Sequence, residues 1–159
     1  MWFWKRKSRQ EEVSSPTFKI AIEPDDYHAR HVGRTPDGKQ FFLTTPFAPA
    51  LSGEPGCEYI ALYIFSSKGV FEEARIDSLG PRTTMDRAAR EGILQKRLSE
   101  MDGAPARIEI VPFSHLYDGR EFGLIYRAAE DEDDLPAVEA QPGNYMAFFE
   151  PWKSGEYDT

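Results

Sequence analysis

Four turn signals divide most of this chain into pairs of strand-like runs, and that recurrence constrains the fold more than any other feature. Pro36-Asp37-Gly38, Ser66-Ser67-Lys68-Gly69, Asp118-Gly119 and Gln141-Pro142-Gly143-Asn144 each stand between two apolar-rich segments. Glycine and asparagine tolerate the positive φ that tight hairpin turns require, so each signal can reverse the chain. The runs they join are 29–35 with 40–45, 58–65 with 70–77, 107–117 with 121–127, and VEA with YMAFF near 138–149. Ahead of them, residues 17–23 alternate Phe18, Ile20 and Ile22 against Lys19 and Ala21 until Pro24 ends the run. That is the period of a half-buried strand, and the total comes to about nine strands.

Hairpins place consecutive strands side by side and antiparallel. Strands alternating with single helices are absent, as is any glycine-rich phosphate loop, so a parallel doubly wound sheet is not expected. EYIALYIF, 58–65, is apolar at both parities, which predicts a central strand covered on both faces. Pro112 lacks the donor a ladder needs, so the run 107–117 is expected at an edge or bulged near its middle. In YMAFF both parities are again apolar, which predicts an interior position for the last strand. The segment 46–57 holds three prolines and two glycines and is expected to be a long loop.

One stretch has helical character, 84–101, with Met85, Ala88, Ala89, Ile93, Leu94, Leu98 and Met101 as its apolar positions. The stripe is clearest in the last two turns. Thr83 or Thr84 is expected to cap it, Asp86 to lie in its first turn, and Gly103 to follow its end. The predicted class is therefore α+β: a largely antiparallel sheet of successive hairpins with one principal helix. Residues 17–159 are expected to form one domain and 1–16 a flexible basic and aromatic arm.

No apolar run approaches the roughly 20 residues of a membrane-crossing helix. A single cysteine, Cys57, excludes an intramolecular disulfide and suits a reducing cytoplasm. The start, MWFWKRKSRQEE, puts apolar residues before basic ones, the reverse of a secretory leader. The formal charge is −8, while Lys5, Arg6, Lys7 and Arg9 give the first nine residues +4, which leaves −12 for the remainder. A body of that sign repels phosphate backbones and attracts basic proteins, so a protein partner is expected and a nucleic acid is not.

Three clusters carry possible chemistry. EPDDYHARH, 23–31, offers Asp26, His28 and His31 as imidazole and carboxylate ligands, with His115 as a distant third imidazole if the fold brings it across. At HxxH spacing the two histidines share a side in a helical turn and oppose each other on a strand. The stretch Glu130, Asp131, Glu132, Asp133 and Asp134 lacks the glycine and terminal glutamate of a calcium loop and reads as a solvated, partner-attracting patch. Trp2, Phe3 and Trp4 followed by Lys5, Arg6 and Lys7 have the composition of a weak interfacial anchor or docking arm.

Cys57 lies between Glu54 and Glu58, which oppose thiolate formation, and no G-x-S-x-G elbow is present. Catalysis is not indicated and no cofactor is expected. In the tail, Trp152 and Tyr157 are either a clasp over the core or a contact surface. The function expected on these grounds is a non-catalytic protein-interaction module with an acidic surface, of the type of a bacterial regulator or a toxin-neutralising immunity protein. The alternatives are a metal-dependent hydrolase or small-ligand binder at His28 and His31, and a peripheral membrane subunit held by the N-terminal arm.

Overall fold

The computed structural model describes residues 17–159. Twelve strands and one helix make up the described chain, and every strand pairing is antiparallel. The α+β class read from the turn signals is the observed one.

The central layer is a six-stranded sheet. Its axis is β5 (Cys57–Phe65), paired along one edge with β3 (Gln40–Thr44) and β4 (Phe47–Ala48), and along the other with β6 (Phe71–Gly80). Beyond β3 lie β2 (His31–Arg34) and β7 (Ala104–Pro105). Because β5 is apolar at both parities it separates two cores. Phe42, Tyr59, Ala61, Tyr63 and Phe65 point to one, and Phe41, Leu43, Ile60, Leu62 and Ile64 to the other.

The larger core is closed by two smaller sheets. One is the pair β1 (Ile20–Ile22) and β8 (Ile108–Ile110). The other runs β9 (Phe113–Tyr117), β10 (Arg120–Arg127), β11 (Ala137–Gln141) and β12 (Ala147–Phe148), in space 12-11-10-9. Gln40, almost fully buried, ties the layers together. Its Nε2 donates to the carbonyls of Ser66 (3.2 Å) and Glu109 (3.1 Å), and its Oε1 accepts the Glu109 N–H at 2.9 Å. A buried amide satisfied at three bonds fixes register instead of costing free energy. The buried Tyr63 hydroxyl, by contrast, has no partner among the described residues.

The smaller core is covered by α1 (Arg87–Met101), through Ile93, Leu94, Leu98 and Met101. Two guanidiniums fasten the helix to β6: Arg97 holds Asp77 at 2.8 and 3.1 Å, and Arg75 holds Glu100 at 3.1 Å. Only the C-terminal half of α1 is seated in this way. Arg87, Ala88 and Ala89 are exposed, so the first turns overhang the sheet.

Twelve strands exceed the expected nine for local reasons. Residues 107–117 divide at Pro112, where the chain leaves the β1–β8 pair and joins the four-stranded sheet. Proline has no N–H to continue the first ladder, and the bend it enforces makes the exchange. The 46–57 segment is not a plain loop: β4 pairs with the start of β5, and Leu51 bridges Glu54. β7 is a short addition beside Gly33.

Two further expectations are corrected, while Gly103 does lie just past the end of the helix. The helix cap is Asp86, whose side chain accepts from the Ala88 and Ala89 N–H groups, and not Thr83 or Thr84, which lie in the preceding turn. The left-handed residue ending the helix is Asp102, at φ 46°. Gly103 is needed for space, since a Cβ there would fall 2.6 Å from the Arg34 carbonyl oxygen. Finally, the last strand ends its sheet instead of lying inside it; both its parities are apolar because the tail covers it, with Ala147 bridged to Asp158. At the third hairpin Asp118 (φ 51°) and Gly119 (φ 72°) both adopt the positive φ the sequence predicts.

Candidate functional site

The turn before β2 is built by Asp25. Its Oδ1 accepts the N–H groups of Tyr27 (2.8 Å) and Ala29 (3.0 Å), closing a compact loop that buries Ala29. The tail locks this loop from outside. Tyr157 donates its hydroxyl to Asp25 Oδ2 at 2.6 Å and accepts the His28 N–H at 3.2 Å. Burial, then the Asp25 carboxylate, pushes the Tyr157 phenol up to about 12. Burial works against ionisation of Asp25 too, but the Tyr157, Tyr27 and Ala29 donors outweigh it and hold the carboxyl below its ordinary range.

The loop turns His28 inward among aromatic rings, with centroids at 4.0 Å from Tyr27, 5.4 Å from Tyr145 and 6.3 Å from Tyr157. Desolvation lowers its pKa, opposed in part by Asp25. His31 opens β2 opposite Leu43. Desolvation and the neighbouring Arg30 lower its pKa, and Glu91 opposes them.

Between this loop, the end of β3 and the overhanging half of α1 lies a cleft of about 300 Å³. His28 and His31 both line it, so the fold brings the HxxH pair to one place. Asp26 and His115 do not line it. Asp26 is exposed, and its carbonyl accepts from Arg30 Nε at 3.1 Å. His115 sits on β9 opposite Phe122, its ring 5.7 Å from Phe71. Among the described residues no three of His, Cys, Asp and Glu are placed to hold a metal ion.

Sequence reasoning did not single out Arg30, Thr45, Arg90 or Glu91, which also face the cleft. The available signal was the thin apolar stripe at the start of α1: a half-helix without large apolar side chains cannot lie flat on a sheet, and a gap follows.

The acidic segment forms an ordered loop between β10 and β11. Arg127 holds its base, donating to Asp134 Oδ2 (2.7 Å) and to Glu139 Oε2 (3.1 Å). Asp134 accepts the Glu130 N–H at 3.0 Å, and Asp131 the Asp133 N–H at 2.9 Å. Glu130, Asp131, Glu132 and Asp133 are exposed and have no cationic partner among the described residues, and Leu135 beside them is 64% exposed.

Trp152 stacks on Phe18 at 4.5 Å and meets Tyr126 edge-on at 6.3 Å, while its carbonyl accepts the Ala21 N–H at 3.1 Å. Both Trp152 and Tyr157 are half-buried against the larger core. Cys57 Sγ lies 3.2 Å from Ser78 Oγ, and no histidine is among its hydrogen-bond partners in the described chain. The arm residues Trp2, Phe3, Trp4, Lys5, Arg6 and Lys7 lie outside the described residues. Among the described residues no helix is long and apolar enough to cross a membrane.

No protein family, curated protein or solved structure matches the chain.

Proposed function

We propose that this protein is a non-catalytic interaction module that recognises a partner with a basic surface through the loop between β10 and β11. The observation that carries the reading is the contrast within that loop. Asp134 and Glu139 are paired with Arg127, whereas Glu130, Asp131, Glu132 and Asp133 are held on the same ordered turn with no cation beside them among the described residues. An ordered loop loses little conformational freedom on binding, and an unneutralised patch speeds encounter with an opposite charge. The exposed Leu135 supplies an apolar contact at its margin.

The net charge of −8 supports the same partner chemistry. A cytoplasmic setting, and a role as a bacterial regulator or immunity-type protein against a basic toxin, belong to this reading and rest on size, charge and the single cysteine. Trp152 and Tyr157 are half-buried and packed against the chain's own core, which favours the loop over the tail as the recognition surface.

The test is capture from an extract of the native cell at low salt, using the wild-type protein and a variant with Glu130→Gln, Asp131→Asn, Glu132→Gln and Asp133→Asn. A partner retained only by the wild type and released between roughly 0.05 and 0.5 M salt is the expected result. Equal retention by both proteins, or retention indifferent to salt, would reject the acidic loop as the recognition surface.

A further inference from the structure

The cleft beneath the overhanging half of α1 collects cationic and hydroxylic groups in a chain that is otherwise acidic. Arg30 and His31 enter from the β2 side, Arg90 from the helix, and Thr45 from beyond the end of β3, with His28 at the inner end. Among the described residues Glu91 is the only carboxylate on the lining. Among the described residues neither Arg30 nor Arg90 forms a salt bridge, as is true of about half of the described Lys and Arg side chains; what sets these two apart is that both line one cleft. Arg30 Nε is fixed by the Asp26 carbonyl at 3.1 Å, which orients the guanidinium without neutralising it.

Two guanidiniums and two imidazoles against one carboxylate on the lining of a concavity favour an anion between them. Guanidinium forks match oxygens in pairs, and a phosphate monoester offers three acceptor oxygens and about −1.5 to −2 charges at neutral pH, enough to meet both arginines and a hydroxyl together. A carboxylate has two oxygens and one charge. The volume of about 300 Å³ lies at the small end of ligand sites. At the mouth, Tyr27 is 60% exposed with its ring 4.0 Å from that of His28, an aromatic shelf open to a planar group.

We infer that the cleft between α1 and the 25–31 segment is a binding site for a small phosphorylated organic molecule, its phosphate held between Arg30 and Arg90 and its organic part against Tyr27. The site is separate from the acidic loop and stands or falls independently of the interaction proposed there.

The experiment follows amide shifts of the isotope-labelled full chain during titration with adenosine monophosphate, inorganic phosphate and succinate, each to roughly 10 mM. The expected result is saturable shifts around His28–His31 and Arg90–Gln95 with the nucleotide, weaker ones at the same positions with phosphate, and none with succinate. Phosphate equal to the nucleotide would identify a simple phosphate site and overturn the organic part of the assignment; succinate equal to phosphate would overturn the phosphate part.

In an Arg30→Gln/Arg90→Gln variant the nucleotide affinity falls about tenfold or more. An Arg30→Lys/Arg90→Lys variant keeps both charges, loses the paired donors and falls between the two. Each variant's amide spectrum reports its fold. Unchanged affinity in either folded variant, or no saturable shift in the wild type, would overturn the site.

Discussion

Tyr157 donates its hydroxyl to Asp25 across 132 positions of sequence, at 2.6 Å, and thereby closes the C-terminal tail on the turn that precedes β2. Tyr157→Phe keeps the ring and removes the bond. Asp25 Oδ2 then loses its donor and the His28 N–H its acceptor. Stability should fall by about 1 kcal/mol, the usual worth of a hydrogen bond to a partly exposed charged group. The Asp25 carboxyl should titrate at higher pH than in the wild type. Urea melting and a carboxyl-detected NMR titration measure the two effects, and a phenylalanine variant unchanged in both would show that the bond is idle.

Removing the tail after Pro151 is a more severe change. It deletes the Trp152 stack on Phe18, the backbone bond from Ala21 and the Ala147–Asp158 bridge together. A cost of about 3 kcal/mol or more is expected, since truncating a buried aromatic alone costs about that much. Melting temperature is the readout. A truncated chain as stable as the full one would mean that these contacts are ornamental.

The two cleft histidines give a pH dependence of definite sign. Burial lowers both imidazole pKa values below the ordinary 6.5, so the unfolded chain binds these protons more tightly than the folded one. Their contribution is therefore intact above about pH 6.5 and is lost as pH falls towards the lower folded-state values. Asp25, Tyr145 and Tyr157 face His28, and Arg30, Arg90 and Glu91 line the cleft with His31. Asp25 has a depressed pKa, so its contribution persists until the pH falls through the carboxylate range and does not disturb this window. Stability from urea melts should decline between pH 7 and 5, and decline less in His28→Gln/His31→Gln. Identical slopes for both proteins would exclude the imidazoles as the cause.

Gly92 sits in the interior of α1 where a Cβ would touch nothing within 4 Å. Gly92→Ala should therefore stabilise the protein by about 0.5–1 kcal/mol through helix propensity alone. A loss of stability on thermal melting would reveal that the overhanging half of the helix is more closely covered than its surroundings indicate.

Strand pairing was legible because hairpin turns announce themselves locally. Asp118-Gly119 can do little but reverse the chain, and the alternation on either side follows from it. Both-parity apolar content foretold that β5 would be covered twice. The same rule misplaced the last strand, because apolar parity reports covering and not the identity of the cover; the chain's own tail serves there as well as another strand would. Non-local partners were the least accessible. Nothing near Ile20 says that it will pair with Ile110, and nothing near Arg90 says that it will face His31. Those juxtapositions depend on how the layers stack, which no local window of sequence contains. The histidine pair stands out in the sequence for its ligand chemistry, but in space guanidinium, phenol and hydroxyl groups surround it, with Asp25 near one imidazole and Glu91 near the other.

β5 pairs along both edges and is covered on both faces, by α1 on one side and the smaller sheets on the other. Its inner amides, from Ile60 to Ile64, bond alternately to β3, which β2 covers in turn, and to β6, which is an edge strand. Amide hydrogens turned toward β3 should exchange only through global unfolding, with an exchange free energy equal to that of the whole chain, whereas those turned toward β6 and the first turn of α1 exchange earlier through local opening. The strand that divides the two cores is thus also the unit that makes their loss a single event.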